Sequence, residues 1–574
     1  MAKSEEVSLA QTHLFTRAAY DFTLSKDQRQ EVTHARAKAI ATSFDMTIED
    51  ILTCSEKFWD STLHPINTID GAAAALWTIH VNLACGTLTQ YAGDRPEIRE
   101  LCRKILAFEL TAHYMLTEVG HGLDTQALET QAILLPCGDF EIHTPNPRAS
   151  KFMPASIIAG GVPRIAVVMA QLIIKGQRCG IRPFVVPLND GKVMYPGVSC
   201  RVLPDRSGTR PIGHAITTFN HVKISATAFV GDLNSTLHPR MQFLASIWRL
   251  GIGSATMAAL AIPALRISAH IATQYAKRRT VTDSRGVAVP ILTFRTTQVP
   301  ILRALSEAAV LEAFYREIRP YFSSTDNSNK NLVKVLETRN ALAGVLKTIT
   351  VHHFRESSVA LTDRLGAQGL FSENQLVALE MEIRGMTIAE GDVTVLCICL
   401  ASELLLGRYS LPPPRYPNSL LAQHETAVFT EMRELLKGMN NKHRSEDFNR
   451  LLLPRSRSFI TTIGQRMAYE AAVDANVDPV LVSLYEASAV IQDLSWYVES
   501  GKMLRKDAMT AEDVALTAAF PKLNLYLEQL DLGPFISAPV ISQASWDKYV
   551  SNLPLLKRPR DKYVPSPVFE RARL

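Results

Sequence analysis

The chain has 574 residues, too many for one hydrophobic core, and its 47% apolar and 20% charged residues are those of an ordinary globular protein. A net charge of +5 is spread without a long Lys/Arg block, which argues against nucleic acid as the main partner while suiting a polyanionic small ligand. Eight scattered cysteines form no C-x-x-C pair, so no metal site or redox pair is indicated and reduced thiols inside a cell are expected.

In chain order, the opening MAKSEEVSLAQTHLF lacks an apolar signal core. From Lys26 to about Leu110 the pattern is helical: KDQRQEVTHARAKAIATSF has helical spacing, and IRELCRKILAFELTAHYML repeats it. Short runs of β-formers follow, separated by Gly, Pro, Asn and Asp: ETQAILLP, DFEIHT, RIAVVMAQLII, IRPFVVPLN, VSCRVLP and AITTFNHVKIS. The glycine-rich AGGVPR reads as a turn, since it contains a proline and no helix follows. Helices return after GDLNSTLHPR, in MQFLASIWRLGIGSATMAALAIPALRISAHIATQYAKRR, RTTQVPILRALSEAAVLEAFYREI and KNLVKVLETRNALAGVLKTITVHHF. The prolines of LPPPRYP cannot continue a helix, and a second helical block lies beyond them. No integral membrane segment is expected, because the apolar VLCICLASELLLG is short and contains Glu403.

The predicted organisation is multidomain and mainly α with a central β domain. It comprises a helical N-terminal domain (1–115), a β-barrel-like middle domain (116–235), a helical domain (236–410), a Pro-rich linker (411–420) and a C-terminal helical domain with a tail (421–574). The final Ala572-Arg573-Leu574 fits the small–basic–leucine pattern read by the peroxisomal import receptor.

Several catalytic signatures are missing: no G-x-G-x-x-G after a strand, no Walker-type lysine loop, no G-x-S-x-G elbow. His352-His353 lies in a helical pattern without a companion ligand and reads as structural. MTIAEGDVTVL, residues 386–396, is different. Asp392 is placed to cap the helix that starts near Val393. Glu390 is not needed for that task. Beside Gly391 it is either a general base or a solvated loop acid, and chemistry alone leaves both open.

AEGDVTVLCICLASELL resembles the E-G-(D/E)-N-T-V signature of the acyl-CoA oxidases, a flavin-dependent family related to the acyl-CoA dehydrogenases. RLGAQGLFSEN (364–374) is similar to the family's C-G-G-x-G-Y-S segment, YMLTEVGHGLDTQALET to its T-E-x-G-H-G segment, and YAKRRTV with FRTTQ to its arginine and glutamine. The resemblance implies Glu390 as catalytic base. It implies FAD contacts at Thr117, Gly120, Gly122, Gly161, Gly369, Asp392 and Thr394, with Arg278 and Gln298 reaching a flavin across a subunit boundary. The implied reaction is oxidation of an acyl-CoA to its trans-2-enoyl-CoA by a peroxisomal homodimer, with O₂ as acceptor and H₂O₂ as product. A dehydrogenase or desaturase of an unusual acyl thioester, and a non-catalytic subunit partner, are the alternatives. Departures stand at Leu365, Ala367 and Leu370 in the glycine segment and at Val393 in the signature, and they bear on the acyl chain more than on the base.

Overall fold

The computed structural model describes residues 8–16, 24–233, 239–323 and 332–556, so Ala572-Arg573-Leu574 lies outside the described residues. Helix α1 (Lys26–Phe44) starts where the sequence says it should. The Ser25 hydroxyl accepts from the Gln28 N–H, and the Gln28 side chain accepts from the Ser25 N–H. Helix α2 (Gly71–Thr78) runs on through a π-helical turn, Ile79–Cys85, which carries His80 and Asn82 into the interior. Helix α3 (Pro96–Leu106) completes the N-terminal block.

Beyond α3 the structure departs from the helical expectation for IRELCRKILAFELTAHYML. The helix stops because Phe108 adopts a left-handed φ of 54°, and the N–H groups of Phe108 and Glu109 turn back to the carbonyls of Ile105 and Lys104. Glycine usually marks such a stop. A buried phenylalanine hides it, and Thr111–Met115 becomes strand β1.

One curled sheet contains β1, β2 (Gln131–Leu134), β3 (Phe140–His143), β5 (Arg164–Ile174), β6 (Gln177–Asn189) and β9 (Val222–Ile224). A smaller sheet contains β4 (Lys151–Phe152), β7 (Val198–Val202) and β8 (Ala215–Phe219). Strand β5 is the axis: β1 pairs parallel with Arg164–Val168, β2 pairs parallel with Gln171–Ile173, and β6 runs antiparallel along it. Both faces of β5 are covered, which explains its largely apolar run, interrupted by Gln171. Every run expected to be β contains a strand, and AITTFNHVKIS divides into β8 and β9 around His221, at φ 52°.

The following helices are α4 (Arg249–Ala259), α5 (Ala261–Arg278), α6 (Arg295–Ser323), α7 (Leu332–Arg364), α8 (Leu376–Met386) and α9 (Val393–Leu405). After the proline cluster come α10 (Leu420–Gly438), α11 (Ser456–Asp474), α12 (Pro479–Gln492), α13 (Arg505–Ala519) and α14 (Gln543–Ser551). Helix α11 packs on α6, α7 and α9, and α12 on α6, so one apolar core joins the N-terminal helices to both later blocks. The large sheet keeps a core of its own. The linker is pinned: the Pro412 carbonyl accepts from Arg466, and Glu470 accepts from the N–H groups of Arg415 and Tyr416.

Apolar runs of membrane length do occur in this chain. Two helical runs, Gly71–Thr89 and Arg249–Arg278, are long and apolar enough by length and composition to cross a bilayer. Both are mostly buried inside the protein, where an all-round apolar surface is what a central helix requires.

Candidate active site

Helix α9 begins at Asp392, whose carboxylate accepts from the N–H groups of Thr394 (2.9 Å) and Val395 (3.1 Å). Just before this cap the chain makes a left-handed turn, with φ 53° at Glu390 and 105° at Gly391. For a residue with a side chain that conformation costs roughly 1–2 kcal/mol, so the surroundings must impose it. They do so through three successive carbonyls. The Lys347 ammonium, on α7, donates to the carbonyls of Ala389 and Gly391 (2.6 Å to the latter), and the Ser254 hydroxyl, on α4, donates to that of Glu390.

The turn aims the Glu390 carboxylate at α4. A Cβ added at Gly253 would lie 1.2 Å from Glu390 Oε2 and 3.0 Å from Asn82 Nδ2, so glycine is required for this approach. Both carboxylate oxygens are buried without a hydrogen-bond partner, as are the Tyr114 hydroxyl and Asn82 Oδ1. Burial pushes the Glu390 carboxyl up to about 8, against the opposing pull of the Lys347 and Arg249 charges. Burial likewise lowers the Lys347 ammonium, with Glu390 and Asp392 pulling the other way. The Tyr114 phenol is raised by burial and then by the Glu390 charge, so the two groups lie within electrostatic reach of each other. A poorly solvated carboxyl titrating near neutrality is suited to taking a proton from a weak carbon acid.

Thr117 follows β1, three residues past Tyr114 and therefore within about 10 Å of it. Its carbonyl accepts from the Phe152 N–H (2.9 Å), and the Gly120 N–H donates to Arg148 O (2.8 Å). Gly122, in the same loop, has open space around its Cα. A fully buried ion pair anchors the loop, Lys151 to Glu118 at 2.9 Å, and Lys151 also donates to the Leu116 and Met169 carbonyls. Thr394 is exposed, and its N–H is taken by Asp392.

The remaining predicted residues lie elsewhere. Gly161 turns the chain ahead of β5 and packs against Gly191. Gly369 packs on the end of α7, where a Cβ would meet Thr362 O at 2.3 Å. Gln298 is buried, donating to the Leu292 and Thr293 carbonyls and accepting from Arg295. Arg278 ends α5 beside a cleft of about 260 Å³ lined by Tyr275, Gln368, Gln543 and Trp546. It donates to Gln543 Oε1 at 3.0 Å, while its Nε is buried without a partner. Gly253 lies near the start of α4 and Arg278 at the end of α5, at most roughly 37 Å apart at 1.5 Å per residue. His353 is held between Glu307 and Tyr485, and His352 contacts Gln492.

Lys347, Ser254, Gly253, Tyr114 and Asn82 were not marked by the sequence reading. The one signal for Lys347 is its isolation in an apolar helix, ALAGVLKTITV.

Residues 251–405 match the family model for the acyl-CoA oxidase C-alpha1 domain. Peroxisomal acyl-coenzyme A oxidase 3 of Homo sapiens is 25% identical over 67% of this chain and 57% of its own length. The chain thus spans little more than half the length of that relative. Acyl-CoA oxidase 1 of Yarrowia lipolytica superposes with a TM-score of 0.81 at 17% identity, covering 97% of this chain and 91% of the other. Acyl-CoA oxidase-1 of Caenorhabditis elegans, solved in complex with FAD and ATP, gives 0.72 at 16% identity, covering 99% and 97%. The two structures share the fold.

Proposed function

The chain belongs to the acyl-CoA oxidase family, and from that premise we propose that it catalyses FAD-dependent α,β-dehydrogenation of an acyl-CoA thioester to the trans-2-enoyl-CoA, with O₂ as acceptor and H₂O₂ as product. The observation that carries this reading is the Glu390 carboxylate, buried at a left-handed turn with neither oxygen hydrogen-bonded. A structural acid in such a place would be paired. An acid awaiting a substrate α-proton is not.

Glu390 takes that proton. Its burial removes the water that would weaken it as a base, and the clamped turn fixes its direction, so orientation is set before the substrate arrives. Gly253 leaves the room, and Tyr114 and Asn82 present unpartnered polar atoms near the carboxylate. FAD bound here would supply the hydride-accepting chemistry, with dioxygen as the final acceptor. The Thr117–Gly120–Gly122 loop, continuous with Tyr114, would hold the flavin end. Arg278, with its orphaned Nε, would meet the diphosphate. Arg278 ends α5 while Gly253 lies near the start of α4, so the two mark separate places on the chain, and the homodimer, in which Arg278 meets the flavin of a partner subunit, rests on the family resemblance. The name of the human relative supports a peroxisomal address.

The test is optical. Protein reconstituted with FAD should show a flavin spectrum that acyl-CoA bleaches and air restores, with release of peroxide. The Glu390→Gln variant should keep the flavin and lose turnover. A chain that remains colourless after reconstitution, or a Glu390→Gln variant as fast as wild type, overturns the reading.

A further inference from the structure

We propose that Lys347 is the positioning residue of this site: its ammonium grips the carbonyls on both sides of Glu390, holding the left-handed turn and keeping the carboxylate available as an anion. The inference rests on Glu390 being the base. Lys347 is fully buried in the middle of α7, and among the described residues it forms no ion pair, its hydrogen-bond partners being the Ala389 and Gly391 carbonyls. Burying an ammonium without a carboxylate partner costs several kcal/mol, and an apolar side chain of similar size would serve packing better. The cost is understandable if the charge has a use, and the nearest use is Glu390. With Ser254 on the Glu390 carbonyl, the three carbonyls from 389 to 391 are all bound, so the turn cannot relax to a right-handed conformation without breaking this set.

The charged and titratable groups around the Glu390 carboxylate come from four elements. Lys347 lies on α7, Arg249 on α4, Tyr114 on β1, and Asp392 at the start of α9. Arg249 donates through Nε and Nη1 to the Asn82 and Ile51 carbonyls and to Cys54 Sγ, its buried Nη2 has no partner among the described residues, and it makes no bond to the 389–391 turn. Asp392 is committed to its helix cap. Lys347 therefore stands as the cation devoted to this turn, and its contribution to Glu390 exceeds that of Arg249.

The experiment compares the FAD-reconstituted wild type with Lys347→Met, Lys347→Gln and Lys347→Arg. It follows kcat/KM across pH together with the infrared band of the protonated carboxyl that Glu390→Gln abolishes. Removing the charge should raise the pH at which Glu390 ionises. In Lys347→Met the acid limb should move up by about one unit or more, a loss of about tenfold below the limb that closes at alkaline pH. Lys347→Gln keeps a donor and should show the same shift. Lys347→Arg should hold the wild-type limb. An infrared midpoint and an acid limb that stay in place in both neutral variants overturn the proposal, as does an equal loss of kcat/KM at every pH. The infrared midpoint is read without turnover, so failure of the oxidase reading, seen as wild type without acyl-CoA activity, is a separate outcome. If Lys347→Met does not fold, Lys347→Gln decides.

Discussion

Gly253→Ala tests the geometry of the base most directly. The new Cβ would stand 1.2 Å from Glu390 Oε2 and 2.4 Å from its Cδ, whereas an ordinary contact needs about 3.5 Å. The carboxylate must therefore retreat by roughly 2 Å. Its backbone cannot follow easily, because Lys347 and Ser254 hold the carbonyls of the turn, so the side chain has to leave its rotamer at a cost of about 1 kcal/mol. Misplacing a catalytic group by 1 Å can cost on the order of 10²-fold, so kcat/KM should fall by at least about 10², near 2.7 kcal/mol of transition-state stabilisation. The assay is peroxide formation from acyl-CoA, normalised to bound flavin and paired with thermal unfolding. Alanine is the better helix former by up to about 1 kcal/mol, so the helix itself gains nothing from glycine and the Tm should not collapse. A flavin-loaded Gly253→Ala enzyme within threefold of wild type would refute the reasoning, for it would mean the carboxylate acts from another position.

Two further outcomes follow from buried charge. Because the folded-state carboxyl of Glu390 is raised from 4.5 to about 8, the folded protein retains a proton that the unfolded chain releases, so stability from this group is complete below about 4.5 and lost as pH rises through about 8. Glu390→Gln, neutral throughout, should gain stability over wild type with rising pH, by at most roughly 5 kcal/mol; denaturant unfolding at about pH 5 and about pH 9 reads the difference, and a constant difference contradicts the assignment. Lys151→Met should leave the buried Glu118 carboxylate without its counter-ion, held only by the Glu129 and Thr130 donors, costing up to about 3–5 kcal/mol. The double variant with Glu118→Gln should recover part of the loss, and a single variant of wild-type stability would show that the pair does not anchor the Thr117 loop.

What could be read from the sequence was what depends on neighbours in the chain. Asp392 was readable as the cap of α9 because a cap is a contact over two or three residues. Strand β1 was not legible, because the stop that releases it uses Phe108 where a glycine would have announced it. The clamp on Glu390 was not legible either: Lys347 and Ser254 lie far from Glu390 in sequence, and neither residue type signals a bond to a distant carbonyl. Glycine 253 is illegible for a subtler reason. A glycine inside a helix shows that something approaches closely without saying what. The two membrane-length runs show the converse limit, since apolar length alone does not tell a bilayer from the interior of a large helical protein.

The shared apolar core has a consequence for how the chain is made. Helices α6 and α7 bury their faces on α11 and α12, which follow only after the proline linker. At about 5–20 residues per second, a ribosome needs on the order of ten seconds to pass from one pair to the other. Throughout that interval α6 and α7 can pack on α4, α5 and each other, but the faces that α11 and α12 will cover stay open, while the sheet, with its own core, can already close. Chains truncated at the linker would keep those faces open to water.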